Sequence, residues 1–136
     1  MSPEDIEKLQ FSFGQMVPKK DLIAEKFYTR LFEVAPGVKP LFKGPIKQQG
    51  NKLVMALKQI ILSLKQPNDL MDFLSKLAKR HVEYGAVAAH YGVVGEVLLW
   101  TFDDVMGDDF TPELKGLWGS AYGVIADAMI KASAET

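Results

Sequence analysis

An all-α fold is predicted by three features of the sequence. Apolar residues recur at spacings of three and four almost throughout. No segment sustains the period-two alternation of a half-buried strand, and no Asn-Gly or Asp-Gly pair marks a hairpin turn. The 136 residues, 48% of them hydrophobic, suffice for one compact domain over residues 1–136. At that size roughly 70% of the unfolded surface can be buried.

Ser2-Pro3-Glu4-Asp5 opens the first helix with a capping hydroxyl, a first-turn proline and early carboxylates. Ile6, Leu9, Phe13 and Met16 form its stripe up to Pro18. A second helix is expected from about Lys20 to Glu33, through Leu22, Ile23, Phe27, Leu31 and Phe32. Pro36, Gly37 and Pro40 then break the pattern and leave room for a short turn at Leu41 and Phe42. A third helix runs from about Lys47 to Leu64, with Leu53, Leu57, Ile60, Ile61 and Leu64 along one side. Pro67 and Asn68 punctuate, and a fourth helix carries Leu70, Phe73, Leu74, Leu77 and His81. Gly85 to Ala89 reads as a loop. Tyr91 to Met106 is a strongly apolar helix through Val94, Val97, Leu98 and Thr101, ended by Gly107, Asp108 and Asp109. Thr111-Pro112-Glu113 opens the last helix, which presents Leu117, Trp118, Tyr122, Ile125 and Met129.

Composition narrows the function. A net charge of -1 gives no general phosphate-binding surface, so a nucleic-acid partner is not expected. With no Cys, disulfides, thiolate catalysis and Cys-based zinc sites are excluded, and a reducing compartment suits the chain. No apolar stretch approaches the roughly 20 residues of a membrane span, and the first residues carry no secretion signal. A cytoplasmic protein is therefore expected. The glycines form neither GxxxxGK[ST] nor GxGxxG, and no serine nucleophile has a supporting motif. Asp103, Asp104, Asp108 and Asp109 lack calcium-loop spacing and read as a solvated turn.

Several local motifs, in order, carry a resemblance over essentially the whole chain. They are Lys26-Phe27-Tyr28-Thr29-Arg30-Leu31-Phe32, Pro40-Leu41-Phe42, Ala78-Lys79-Arg80-His81, His90-Tyr91-Gly92-Val93-Val94-Gly95 and Trp118-Gly119-Ser120-Ala121-Tyr122. Each is weak alone; their joint order and spacing are specific. The chain resembles the bacterial single-domain haemoglobins and the globin domain of flavohaemoglobins. That resemblance implies a globin fold, helices packed three over three around haem b. It implies His81 as the proximal iron ligand and Phe42 against the haem face. Tyr28, Gln49 and Leu53 would line the distal gas pocket, and Tyr91 would sit beside the proximal histidine. One departure stands out. Flavohaemoglobins place a Glu in the last helix to pair with the His–Tyr unit, and here Ser133 aligns there. Glu135 is two residues on, about 200° around the helix.

Each residue also has a plainer reading. His81 follows Leu70, Leu74 and Leu77 on a buried stripe, where spacing alone suits a core histidine as well as a ligand. The only other imidazole, His90, stands at a loop-to-helix boundary that suits a helix-start role. Gln49, one turn before Leu53, reads as an exposed first-turn residue or as an amide donor to bound gas. Tyr28 lies between Phe27 and Leu31, so its ring is expected to be buried and its hydroxyl to need a partner. Bound dioxygen has superoxide-like character, and each donor to it would contribute roughly 1–3 kcal/mol. Phe42, Leu53, Val94 and Leu98 read as packing residues that would also touch the ring. Between Glu33 and Asp69 the chain has Lys39, Lys43, Lys47, Lys52, Lys58 and Lys65 and no acid. A solvated face explains these lysines; pairing of one or two of them, or of Arg80, with haem propionates is the functional alternative, at under about 1 kcal/mol each. Docking of an acidic reductase is a third reading.

The leading expectation is reversible oxygen binding by five-coordinate ferrous haem, for storage, delivery or sensing, in a monomer or homodimer. A second is nitric oxide dioxygenase. The chain leaves no room for flavin or nicotinamide domains, so that activity would need a separate reductase. Ser133 in place of Glu ranks peroxidase chemistry lower. A haem-free signalling module would leave Tyr28 and His81 together without an explanation.

Overall fold

The computed structural model describes residues 2–134, and among them every regular element is helical. Six α-helices follow one another: α1 (Pro3–Met16), α2 (Lys20–Val34), α3 (Ile46–Leu62), α4 (Pro67–Tyr84), α5 (Ala88–Met106) and α6 (Pro112–Ala134). Short 3-10 turns cover Val17–Lys19, Pro36–Leu41 and Gly107–Asp109. The expected helices are all present, with two corrections at their ends. The loop expected from Gly85 to Ala89 is shorter, because α5 already begins at Ala88. Ala88 and Ala89 have the highest helix propensity, and their small size is no sign of a loop. The third helix closes at Leu62, two residues before its expected end.

Local chemistry sets these ends. Ser2 Oγ accepts from the Asp5 amide at 3.1 Å, and the Ser2 amide donates to Asp5 Oδ2 at 3.3 Å, a reciprocal cap for α1. Thr111 Oγ1 accepts from the Leu114 amide and caps α6. Gly85, at φ 92°, closes α4 in the left-handed region that side chains avoid.

The helices do not all pack on one another. α4 lies against α6, while α2 lies against α3 and α5, and α1 against α3 and α6. Consecutive α3 and α4 meet only lightly. The buried apolar residues accordingly fall into two clusters. The larger joins Leu9, Phe27, Tyr28, Leu31, Val97, Leu98, Phe102 and Trp118 among others. The smaller is Ile60, Leu74, Ala78 and Met129. The light contact between α3 and α4 is taken as a cleft between the two clusters. Polar groups within the larger cluster are satisfied: Trp118 Nε1 donates to Ser12 Oγ at 2.9 Å, and Ser12 Oγ donates to the Leu9 carbonyl. Among the described residues no single helix is long and apolar enough to cross a membrane; α4 and α5 reach that composition only together, across a 108° bend.

The crossing of α5 and α6 depends on Gly95. A Cβ there would stand 2.5 Å from Tyr122 Cε2, inside contact distance. Gly123, on the exposed side of α6, has nothing within 4 Å of its Cβ position. Gly95→Ala should therefore destabilise the fold by about 1–3 kcal/mol through overpacking. Gly123→Ala should stabilise it by about 0.5–1 kcal/mol through reduced chain entropy. Urea unfolding midpoints of the two variants should move in opposite directions.

Candidate functional site

The α4 end of the cleft presents His81, in the last turn of its helix and half-buried. Its Nδ1 lies 2.8 Å from the Leu77 carbonyl, one turn back. A carbonyl only accepts, so Nδ1 carries the proton and Nε2 keeps a lone pair. No hydrogen bond reaches Nε2 among the described residues. Burial pushes the imidazole below its ordinary value, the Arg80 charge adds to that, and the Leu77 hydrogen bond opposes both. The ring is thus held neutral, with one basic nitrogen free.

Aromatic rings and hydroxyls back this imidazole. The Tyr91 ring lies nearly parallel to it, with centroids 6.2 Å apart, and the half-exposed Tyr84 ring is at 5.8 Å. The Tyr122 hydroxyl donates to the Tyr91 carbonyl at 2.6 Å, which ties the start of α5 to α6. The Tyr91 hydroxyl is buried, and the polar group facing it is Ser133, too poorly aligned for a full hydrogen bond. Burial pushes that phenol up, and the Ser133 hydroxyl beside it pulls it partly back. Ser133 Oγ spends its own proton on the Met129 carbonyl at 2.8 Å. Ser133 therefore faces Tyr91, at the place where the resemblance put it. Glu135 lies outside the described residues.

On the other side of the cleft, Tyr28 is buried in α2, and burial pushes its phenol up to about 12. Its hydroxyl donates to the Gln49 carbonyl at 3.1 Å. The Gln49 amide turns away and donates to the Lys43 carbonyl. Tyr28 and Gln49 are thus brought together through the Gln49 backbone, with the phenol hydrogen and one amide hydrogen directed to different carbonyls. Phe42 packs edge-on to Tyr28 at 5.3 Å and to Phe32 at 5.6 Å. Leu53 and Val94 are half-buried at the edge of the larger cluster, whereas Leu98 is buried within it. Arg80 is exposed. Among the lysines, Lys65 pairs with Glu7 at 3.3 Å and Lys39 lies over the Phe32 ring, while Lys43, Lys47, Lys52 and Lys58 face solvent. His90 Nδ1 accepts from the Val87 amide at 3.2 Å, the helix-start role its position suggested.

Two surface grooves lie elsewhere. One, of 310 Å³, runs outside the α2–α3 crossing past Lys20, Asp21, Glu25, Lys47 and Asn51. The other, of 600 Å³, is rimmed by Glu4, Glu7, Asp108, Asp109 and Glu113. Neither includes His81, and the chemistry is assigned to His81 by its free Nε2. No group of three or more His, Asp or Glu that could hold a metal ion occurs among the described residues. A metal at His81 would have to bring its other ligands with it. A flat apolar group carrying its own metal fits that requirement. Its faces would meet half-buried leucine and valine, and its metal would meet the free Nε2.

The neutral imidazole makes a pH prediction for the haem-free chain. His81 resists protonation when folded, so between its folded value and its ordinary 6.5 the unfolded chain binds more protons. Its contribution to stability is complete above about 6.5 and is lost as pH falls. Chemical denaturation between pH 7.5 and 5 should show a decline that is shallower in His81→Gln.

Known proteins resemble this arrangement throughout. The globin family profile matches residues 25–129. The flavohemoprotein of Rhodopirellula baltica is 35% identical over 113 residues, which cover 81% of this chain and 28% of that protein. This chain spans about a third or less of the length of the curated flavohemoproteins it matches. Among solved structures, a bacterial globin from Campylobacter jejuni superposes with a TM-score of 0.87 at 24% identity, covering 98% of this chain and 97% of that one. An engineered carbene transferase, made from a protein of Rhodothermus marinus described as a candidate nitric oxide dioxygenase, superposes with a TM-score of 0.88 at 26% identity, covering 99% and 94%. Helix order, profile and superposition agree: the chain belongs to the globin family.

Proposed function

We propose that this chain binds haem b in the cleft between α3 and α4 and through it binds dioxygen or another diatomic gas reversibly, for storage, delivery or sensing. The observation that carries the reading is His81: a neutral imidazole, oriented by the Leu77 carbonyl, with Nε2 free at the edge of an apolar cleft. Haem, when bound, supplies an iron with an open coordination position for the gas. His81 would hold it from one side, with the Nδ1 hydrogen bond fixing the ring's orientation and basicity. Phe42, Leu53, Val94 and Leu98 would pack against it, and Arg80 or a lysine of the 39–65 stretch would meet its propionates. Tyr28 and Gln49 are the groups that offer polar hydrogens on the gas side, and Tyr91 supports the His81 ring. The residues 1–136 then act as one gas-binding domain, and the Cys-free composition suits the cytoplasm.

Nitric oxide dioxygenation is the second reading. The flavohemoprotein relatives and the Rhodothermus marinus neighbour favour it, and the same distal donors would serve it. Each turnover would leave ferric haem, so an electron donor is required, and a reductase would meet that need. Nitrate formation with a generic reductase, compared with free haem, separates the two readings.

Titration with haemin tests the leading reading. A Soret band should develop at one equivalent, and His81→Ala should lose stable uptake, because the other imidazole, His90, is engaged with the Val87 amide at the start of α5. Tyr28→Phe should release oxygen about ten- to a hundredfold faster, the loss of one hydrogen bond to a partly charged acceptor. Carbon monoxide release should change much less. An unchanged oxygen rate would remove Tyr28 from the gas pocket.

A further inference from the structure

We infer that a polar gas loosens the start of α3 in this globin, because Tyr28 can serve such a gas only by letting go of the Gln49 carbonyl in the segment 43–49. The inference rests on the gas-binding reading above. A phenol has a single proton, and that of Tyr28 is already given to the Gln49 carbonyl at 3.1 Å. The Gln49 amide gives one of its two hydrogens to the Lys43 carbonyl, across the turn made by Gly44 and Pro45, and keeps the other. The Tyr28 donor is thus spent, and the Gln49 bond helps to hold the same short stretch of backbone.

That stretch has little else to hold it. Pro45 stands at the N-cap of α3 and supplies no side-chain cap. No acidic residue occupies the first turn. Residues 43–48 are exposed, and Gly44 carries the turn at φ 92°. From Gly50 onward the helix is anchored differently. The Cβ that Gly50 lacks would lie 2.6 Å from Ala24 Cβ, so α2 and α3 touch backbone to backbone there. Loosening caused by the exchange is therefore confined to 43–49 and stops at the Gly50–Ala24 crossing. A polar gas, which accepts hydrogen bonds, draws Tyr28 away from the Gln49 carbonyl and loosens the segment. Carbon monoxide accepts weakly and leaves the clamps in place. The cost of opening this bond falls on the polar gas alone, offsetting part of its gain from Tyr28 and marking its arrival by a change in the surface loop.

Amide hydrogen exchange on the haem-loaded ferrous chain tests this, with samples under oxygen, carbon monoxide and neither. Exchange over 43–49 should be roughly fivefold faster under oxygen than under carbon monoxide, as the loss of one ordinary hydrogen bond gives. Exchange beyond Gly50 should not differ. Tyr28→Phe should exchange fast in all three states with no dependence on gas. Gln49→Leu should raise the baseline yet keep a gas-dependent difference through Tyr28. Equal exchange under the two gases in the unaltered, haem-loaded chain overturns this inference and leaves gas binding standing. Failure to take up haem overturns both.

Discussion

The 2.8 Å hydrogen bond between His81 Nδ1 and the Leu77 carbonyl decides which nitrogen of the imidazole is available and in which direction it points. Because the acceptor is backbone within the same helix, the ring's orientation is inherited from α4 itself and needs no distant partner. Burial then keeps the ring neutral, and a neutral imidazole is the form that can donate a lone pair. Remove that bond and the ring could rotate or present either nitrogen. The stacked Tyr91 would still crowd it without specifying a tautomer. The remainder of the site is arranged around this one fixed donor.

Packing supplies the second constraint. A chain this apolar would ordinarily close every gap between its helices. Here α4 is drawn to α6 and α3 to α2, leaving the two helices joined by a short connection yet scarcely touching. Gly50 on Ala24 and Gly95 against the Tyr122 ring are the close approaches that hold those pairs. Leu53, Leu57, Val94 and Leu77 are left half-buried along the opening, apolar surface that a flat guest would cover. Burying such surface contributes about 25 cal/mol per Å². Guest binding therefore adds to the stability of the fold as well as to function, and the haem-free chain should be the less stable form.

Much of this was legible in the sequence, and the reason is periodicity. The stripes of α1 to α6 read directly, since each helix buries one face and every break carries a proline or glycine. Gly85–Ala89 misled because small residues suit both a loop and a helix, and only tertiary packing shows that Ala88 and Ala89 are helical. His81 was visible as a residue on a buried stripe, but its role came from resemblance, because spacing does not show what Nε2 faces. Position alone also could not show that Tyr28 and Gln49 direct their hydrogens to backbone carbonyls, as those acceptors carry no sequence signal. The link from Tyr122 to the Tyr91 carbonyl was hidden for the same reason. Gly95, four residues after Tyr91, was its only trace. Ser133 could be placed by alignment, yet its contact with Tyr91 depends on how α5 crosses α6.

The central claim is that a metal-bearing ring enters the cleft between α3 and α4 and is held there by one imidazole. A crystal structure of the haemin-loaded chain tests it most directly. The account predicts iron bonded to His81 Nε2, with Nδ1 still donating to the Leu77 carbonyl. Iron held by another side chain, or a ring seated outside the cleft, would contradict it.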